Sequence, residues 1–261
     1  MNILFIGDVY GKPGRNVVKD ILPKLIKSEK LDFVFMNGEN LAHGDGITEK
    51  TILEMREIGV DAFTGGNHSF KKDGIVLYEE SNYPILRPAN YPPNTPGRGH
   101  MVFQVKEKKI LIINLMGRVF MPQKLDCPFR KVDEILNAYQ GDKIDNIFVD
   151  FHAEATSEKQ AMKYHLDGRV TAVFGTHTHV QTNDLDITKK GTAYISDVGM
   201  TGIVENSVLG VSSDVIVHKF ISGMDARHVV QESGEAVFSS VLIKTGTKMY
   251  AVKASFLNVK N

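Results

Sequence analysis

The sequence predicts an α/β fold built from two mixed sheets. Apolar runs of strand length alternate with segments whose apolar residues recur at helical spacing, which is the pattern of βαβ units. Polar residues follow several of these runs directly, at the position where open α/β sheets place their ligands. The C-terminal part instead contains strand-like runs with few helices between them, which favours a second sheet.

The N-terminal part is predicted to contain two strand–loop–helix units and a third strand. A strand at residues 2–7 precedes a helix whose apolar residues fall within 17–26. A second strand at 33–36 precedes a glycine-rich loop and a helix that Thr48 caps. The third strand lies near residues 62–63 and leads into Gly65-Gly66-Asn67-His68.

The middle of the chain begins with a proline-rich stretch at residues 83–99, which we interpret as a rigid surface loop because its five prolines exclude a regular helix. Residues 101–105 and 110–115 flank a short polar segment and predict an antiparallel hairpin. Two further helix–strand units follow: a helix near 132–139 with a strand at 144–151, and a helix near 157–165 with a strand at 170–174.

Three strands are predicted near the C-terminus, at residues 215–221, 236–243 and 248–256. We therefore expect the second half of the chain to supply a second, mixed sheet that packs on the first. A chain of 261 residues can bury roughly 75% of its unfolded surface in one core, so residues 1–261 are expected to form a single domain.

Composition limits the possible functions. The 31 basic and 31 acidic residues balance, so the composition encodes no strong attraction to nucleic acid or to an anionic membrane. The lone Cys127 cannot form an intramolecular disulfide, and the N-terminus lacks the pattern of a signal peptide. No apolar segment approaches the ~18 residues of a membrane-spanning helix. We expect a cytoplasmic protein.

Five clusters of candidate metal ligands each follow a predicted strand. They contain Asp8, Glu39 with Asn40, Asn67, His152, and His177 with His179. Two divalent cations about 3.5–4 Å apart need several donors from different strands, and usually one carboxylate that bridges them. Imidazole, carboxylate and amide donors together suit iron, manganese or zinc better than calcium. The clusters therefore predict a two-metal hydrolase.

Each cluster alone has a simpler explanation. Gly-Asp before Val9 and Gly-Asn before His68 are common in turns, and His177 and His179 read alone are surface histidines of a loop. A lone histidine such as His152 is usually a hydrogen-bonded core residue. Five such clusters in one order along the chain are hard to obtain by chance. The other histidines, His43, His100, His165, His218 and His228, are expected to be surface or packing residues.

These residues resemble the calcineurin-like metallophosphoesterases, whose sequence blocks contain Gly-Asp, Gly-Asn-His, a lone His and Gly-x-His-x-His. The chain departs from the general pattern at Tyr10, where a histidine is usual, and at Glu39, where an aspartate is expected. Both departures are similar to the YmdB-like family of bacterial phosphodiesterases, whose motifs match residues 7–15 and 37–48. The resemblance extends over essentially the whole chain, including residues 150–159.

The resemblance implies a four-layer α/β/β/α sandwich and two metal sites. One site would contain Asp8, Glu39, Asn40 and His179, and the other Glu39, Asn67, His152 and His177. Glu39 would then bridge two ions, which in relatives are iron or manganese. The amide oxygen of Asn40 would replace the donor lost at Tyr10. His68 would protonate the departing oxygen, and Asp150, Glu154 and Asp197 would orient the histidine ligands.

The implied activity is hydrolysis of 2′,3′- or 3′,5′-cyclic nucleotides such as cAMP, by attack of a hydroxide held between the metals. The expected partner is a small phosphodiester substrate, and no interaction with a membrane is expected. RNA is not indicated by the charge, and a homo-oligomer is left open. One alternative is a phosphomonoesterase or RNA nuclease that uses the same site. Another is a metal-stabilised regulatory binding protein, against which the intact His68 argues. Ser69-Phe70-Lys71 departs from the motif of relatives, which predicts a different substrate preference.

Overall fold

The structure is a computed structural model that describes residues 1–80, 82–246 and 249–260. Elements are numbered in chain order. The strands are β1 (Asn2–Ile6), β2 (Asp8–Val9), β3 (Phe33–Asn37), β4 (Ala62–Thr64), β5 (His100–Val105), β6 (Lys108–Met116), β7 (Asn146–His152), β8 (Ala172–Thr176), β9 (Asp186–Ile187), β10 (Ala193–Ile195), β11 (Met200–Ile203), β12 (Ser207–Val208), β13 (Val211–Ser212), β14 (Ala236–Phe238), β15 (Ser240–Thr245), β16 (Ala251–Phe256) and β17 (Val259–Lys260). The helices are α1 (Gly11–Ser28), α2 (Glu49–Glu57), α3 (Gly74–Glu80), α4 (Pro128–Ala138), α5 (Thr156–Leu166) and α6 (Ser213–Ser222).

Two mixed sheets form the centre of the fold. The first sheet has the strand order β16-β15-β1-β3-β4, with β1, β3 and β4 parallel to one another. The second sheet has the order β5-β6-β7-β8-β10-β9, in which β6, β7, β8 and β10 are parallel. There are two smaller sheets among the described residues: a four-stranded sheet with the order β17-β14-β11-β2, and the hairpin β12-β13.

An aromatic core lies between the two large sheets. Phe5 of β1 stacks on Phe174 of β8 with ring centroids 4.6 Å apart, and Phe35 of β3 lies 6.0 Å from Phe148 of β7. All four rings are buried. Burial of such rings contributes several kcal/mol each relative to truncation, so this layer holds the sheets together.

The outer faces of the sheets are covered by helices. Because side chains alternate along a strand, Leu4 and Ile6 point away from Phe5 and pack with Val18 and Leu22 of α1. On the second sheet, the outer-facing residues pack with Val132 and Ile135 of α4 and with Met162 and Leu166 of α5. The layers are therefore α/β/β/α, which confirms the predicted fold.

The strand directions position the site. The parallel strands β1, β3 and β4 end at one edge of the first sheet, and β7 and β8 end at one edge of the second. The residues that follow these strands are therefore brought together at a common edge. Within the described residues, no helix has the length and apolarity required to cross a membrane.

One of the C-terminal strand predictions was wrong, and a second combined two strands into one. Residues 215–221, predicted as a strand, belong to helix α6, which ends at Gly223 in the left-handed conformation (φ 68°). Residues 236–243 form β14 and β15 rather than one strand, because Ser239 interrupts the strand pairing. The Ser239 carbonyl instead accepts a hydrogen bond from Gly7 N (3.0 Å). The strand predicted at 248–256 starts at Ala251, and Lys248 lies outside the described residues.

The origin of the second sheet also differs from the prediction. Its strands come from residues 100–195, whereas the C-terminal strands β15 and β16 complete the first sheet. The proline-rich stretch 83–99 does not lie wholly on the surface, since Leu86 and Asn90 are fully buried. The Asn90 amide donates to the carbonyls of Met116 and Asp126, which fixes this stretch against β6.

Candidate metal centre

All eight residues predicted for the site lie together at the shared edge of the two sheets. Each has a polar atom within 3.8 Å of a polar atom of another member. They lie on or after five strands: Asp8 in β2, Glu39 and Asn40 after β3, Asn67 and His68 after β4, His152 at the end of β7, and His177 and His179 after β8. Most of them line a cavity of about 750 Å³.

Four donor atoms converge most tightly around His152. Its Nε2 lies 3.2 Å from Glu39 Oε1, 3.0 Å from Asn67 Oδ1 and 3.1 Å from His177 Nδ1. The donors of Glu39, His152 and His177 all lie within 4.8 Å of one another. Together with Asn67, these residues are the set that the family resemblance implied for the second metal.

The tautomer of His152 suits ligation. The Thr176 hydroxyl donates to Asp150 Oδ1 (2.7 Å), so its oxygen accepts a proton from His152 Nδ1 at 2.9 Å. The proton on Nδ1 leaves the Nε2 lone pair for a metal. Asp150 thus orients His152 through Thr176, as predicted, although it does not touch the imidazole. Burial raises the pKa of Asp150 to about 7.

The orientation of His177 is set by Glu154. His177 Nε2 lies 3.1 Å from Glu154 Oε2, so a proton on Nε2 is held by the carboxylate and Nδ1 faces His152. Burial, with the positive charge of His152 nearby, lowers the pKa of His177 to about 3. A neutral imidazole is the form that binds a metal.

Glu39 and His152 form a buried ion pair. Burial alone would raise the pKa of Glu39, but the charge of His152 and its hydrogen bond lower it instead. Burial likewise opposes the charge on His152, yet the Glu39 carboxylate raises its pKa.

The residues predicted for the first metal are more loosely arranged. His179 Nε2 lies 3.8 Å from Asp8 Oδ1 and 3.2 Å from Asn40 Nδ2. Asn40 thus presents its amide nitrogen to His179, while its Oδ1 faces His68 Nδ1 at 2.8 Å. Ligation of a metal beside His179 by the oxygen requires the amide to turn over.

Asp8 provides the test of whether this set fits a cation. Its carboxyl group is completely buried, and burial raises its pKa. Its Oδ2 accepts from His177 N (3.2 Å), but Oδ1 has no hydrogen-bond partner among the described residues. A buried carboxylate oxygen without a partner is costly, and a cation would satisfy it. The donor set therefore fits a metal.

Gly66 allows the backbone to approach the donors. A Cβ at this position would lie 2.3 Å from the His152 ring and 2.4 Å from Glu39 Oε2. Any side chain would have to displace a candidate ligand. Glycine is thus required before Asn67, because the backbone at this position approaches His152 and Glu39 closely.

The loop that carries His177 and His179 is strained and firmly held. Both residues have positive φ, 102° and 64°, which is rare for histidine. Asp197 Oδ2 accepts from Thr178 N (3.0 Å) and Thr178 Oγ1 (2.8 Å), between the two histidines. Lys159 pairs with the same oxygen at 2.8 Å in a buried setting. Asp197 therefore orients the loop, rather than an imidazole as predicted.

His68 faces the cavity from the side of Asn40. Its backbone N donates to Glu39 Oε2 (2.9 Å), and its Nδ1 is held by Asn40. Its Nε2 lies 3.7 Å from Asp45 Oδ1. The imidazole is about one-third exposed (32%), so Nε2 is the nitrogen that a ligand in the cavity can reach.

Several residues of the cavity were not recognised from the sequence. Asp45 lies in a loop with no motif of its own, and only its proximity to His68 identifies it. Tyr10 packs edge-on against His179, with ring centroids 5.6 Å apart. His43 and His228, predicted to be surface or packing residues, line the cavity.

The chain matches a known family over nearly its whole length. The family model described as YmdB-like protein matches residues 4–255. The 2′,3′-cyclic-nucleotide 2′-phosphodiesterase of Bacillus subtilis (strain 168) is 47% identical over 243 residues, which cover 93% of this chain and 90% of that protein.

Solved structures agree with this match. A crystal structure described as a novel phosphatase of Mycoplasma pneumoniae has a TM-score of 0.92 at 37% identity, covering 100% of this chain and 93% of the other. The NAD nucleotidase of Haemophilus influenzae has a TM-score of 0.57 at 16% identity, covering 98% of this chain and 54% of that one. The second likeness concerns the fold alone.

Proposed function

The chain belongs to the YmdB-like family, and on that premise we propose that it is a metal-dependent phosphodiesterase that opens 2′,3′-cyclic nucleotides. The relative from Bacillus subtilis supports the substrate class. The observation that carries the proposal is the convergence of the donor atoms around His152 Nε2, beside a cavity that His68 also faces.

The residues that would hold two metals are those predicted. Asp8, Glu39, Asn40 and His179 would form one set, and Glu39, Asn67, His152 and His177 the other, with Glu39 shared. When bound, divalent metals lower the pKa of water and neutralise charge on phosphoryl oxygens. The mixture of nitrogen and oxygen donors favours first-row metals, and we propose iron or manganese.

His68 would act as the general acid. Its Nδ1 is held by Asn40, so the proton that it delivers resides on Nε2, which faces the cavity. Asp45 Oδ1 lies 3.7 Å from that nitrogen, on the same side of the cavity. An oxygen that leaves phosphorus on this side of the cavity would meet the proton.

The proposed reaction is hydrolysis of one ester bond. The oxygen of water bonds to phosphorus, the bond between phosphorus and the 2′-oxygen breaks, and the 2′-oxygen takes the proton of His68. A nucleoside 3′-monophosphate is the product. The attacking water releases one proton, which replaces the proton that His68 gave up. Water is therefore the only other reactant consumed.

Hydrolysis of 2′,3′-cAMP, 3′,5′-cAMP and bis-p-nitrophenyl phosphate tests the proposal, with metals quantified on the same samples. His68→Ala should lower kcat for 2′,3′-cAMP about 10²–10⁴-fold while its metal content stays at the wild-type level. His165→Ala is the matched control, because His165 pairs with Asp133 on the far helical layer and should retain full activity.

Three outcomes contradict the proposal in different ways. Loss of metal in the His68 variant would refute the role of His68 as general acid. An active wild-type protein without bound metal would refute the metal centre. A metal-loaded protein that hydrolyses none of the diesters would refute the phosphodiesterase activity.

A further inference from the structure

One side of the cavity is formed by apolar side chains rather than by candidate ligands. We call this side the outer wall and define it as the residues of the hairpin β12-β13, its turn and α6 whose side chains line the cavity. Its apolar residues that line the cavity are Val208, Leu209, Val211, Ile216 and Phe220. None of these side chains has a hydrogen-bonding group.

The outer wall is poorly covered by the rest of the protein. Phe220 is 82% exposed, and α6 has no buried residue. An aromatic ring that remains exposed at the edge of a cavity is available to a ligand. The one charged residue of α6 that lines the cavity, Lys219, pairs with Asp225 at 3.1 Å.

The tip of the hairpin is strained. Leu209 and Gly210 form its two-residue turn and both have positive φ, 55° and 97°. Asparagine or glycine is usual at the first of these positions, whereas leucine is disfavoured there. Leu209 nevertheless lies in the cavity with 45% of its surface exposed. Strained residues tend to persist where they have a function.

The hairpin tip is also fixed relative to the candidate metal centre. The Leu209 carbonyl accepts a hydrogen bond from His179 Nδ1 (3.1 Å), which leaves His179 Nε2 for ligation. A Cβ on Gly210 would lie 2.3 Å from the Tyr10 ring, so the turn rests directly on that ring. The apolar side chain of Leu209 therefore has a defined position beside His179.

We infer that the outer wall binds the nucleobase of the substrate, with Phe220 as the stacking surface and Leu209 as an apolar contact. This inference rests on the proposed function. The outer wall is the apolar side of the cavity that the candidate metal ligands also line. A phosphodiester bound at the metal centre would place its base in this cavity, where the outer wall offers the apolar surface. Apolar contact and stacking do not distinguish base edges, but they favour larger rings. The substrates are therefore cyclic nucleotides of any base, with purines preferred.

The test compares substrates with and without a base. Phe220→Ala should raise KM for 2′,3′-cAMP about tenfold, with kcat unchanged, because base stacking is lost in the ground state and the transition state alike. For ribose 2′,3′-cyclic phosphate, which has no base, KM should be unaffected. Phe220→Trp keeps an aromatic ring at this position, so its KM for 2′,3′-cAMP should equal that of the wild type.

Ile221→Ala is the matched control. Ile221 is the next residue of α6 and is 81% exposed, but it does not line the cavity. It should leave both kinetic constants unchanged. Wild-type protein should also show a lower KM for 2′,3′-cAMP than for 2′,3′-cUMP.

The possible failures are distinguishable. If wild-type protein hydrolyses both kinds of substrate and Phe220→Ala changes neither KM, the base-binding wall is wrong and the proposed function stands. An equal defect in Ile221→Ala, or a changed sedimentation coefficient in both variants, would instead identify α6 as a contact between copies of the chain and overturn the inference. No hydrolysis of any diester by metal-loaded wild type overturns both proposals.

Discussion

The two sides of the cavity are built differently. The side at the strand ends consists of buried and half-buried polar residues that hydrogen bonds hold in place, as Thr176 holds His152. The outer wall consists of apolar residues on a short hairpin and one helix, and two of them, Leu209 and Phe220, are exposed. The first side has little freedom, since each donor supports another. The side chains of the outer wall can vary without disturbing that network, because the wall meets His179 through the backbone carbonyl of Leu209. This arrangement suits chemistry on one side and substrate choice on the other.

Substitution of Glu39 should show the largest effect. Glu39→Ala removes the only carboxylate shared by both proposed metal sites, so at least one metal should be lost and hydrolysis should fall to background. Metal analysis and turnover on the same sample measure this. Glu57→Ala, on the exposed face of α2, is the control. A fully metal-loaded and active Glu39→Ala protein would refute the bridging role.

The buried Lys159–Asp197 pair should show the next largest effect. Lys159→Met leaves Asp197 buried without its partner, which should lower the free energy of unfolding by about 3–5 kcal/mol. Metal affinity should fall about 10–100-fold, because Asp197 also holds Thr178. Urea unfolding and metal titration measure the two effects.

The exposed pair Lys131–Glu134 offers the comparison for Lys159. Lys131→Met should cost less than about 1 kcal/mol. Equal costs for the two lysine variants would show that the strand-end side is no more tightly supported than the protein surface.

A smaller, pH-dependent effect is expected at Asp184, which supports Ser196 next to Asp197. Burial would raise the pKa of Asp184, but hydrogen bonds from Ser196 and Thr182 lower it. A carboxyl with a lowered folded pKa stabilises the protein above its unfolded pKa, about 3.9, and loses that contribution as pH falls through the folded value. Asp184→Asn should therefore cost about 1.5 kcal/mol at pH 7 and progressively less below pH ~4. A cost that does not change between pH 7 and pH ~3 would contradict this account.

The smallest effect should come from the outer wall, and it should have the opposite sign. Leu209→Asn creates an Asn-Gly turn that accepts positive φ, so the free energy of unfolding should rise by about 1 kcal/mol. KM for 2′,3′-cAMP should increase at the same time. Leu209→Ala removes the side chain but leaves the strain, and it should raise KM without stabilising the protein. A destabilised Leu209→Asn variant would show that the leucine serves packing.

The strand-end side could be predicted largely from sequence. Asp8, Glu39, Asn67 and His152 each follow or end an apolar run, and parallel strands bring such positions to one edge whatever the details of packing. Motif resemblance added their grouping into two sets. It did not reveal that Asn40 turns its nitrogen toward His179, because side-chain rotation depends on neighbours that only the folded chain assembles.

The outer wall could not be predicted in the same way. Val215, Ile216 and Val217 are β-branched, so local propensity indicated a strand where α6 forms. The segment lacks buried residues, and no periodic pattern therefore indicated which face meets the cavity. Asp45 and Leu209 lie in turns, where function depends on a spatial neighbour rather than on a spacing in the sequence.

The ion pair of Glu39 with His152 has a consequence for how the protein assembles. Glu39 follows a strand of the first sheet and His152 ends a strand of the second, and the contact of Asp8 with His177 joins residues 169 positions apart. These groups come from distant parts of the chain, so they meet only where the two sheets are packed together. A cation that bound only the native state there, at a concentration 100 times its dissociation constant, would add about 2.7 kcal/mol to the free energy of unfolding. The proposed centre would thus link the two sheets, and the free energy of unfolding would rise with the concentration of the metal.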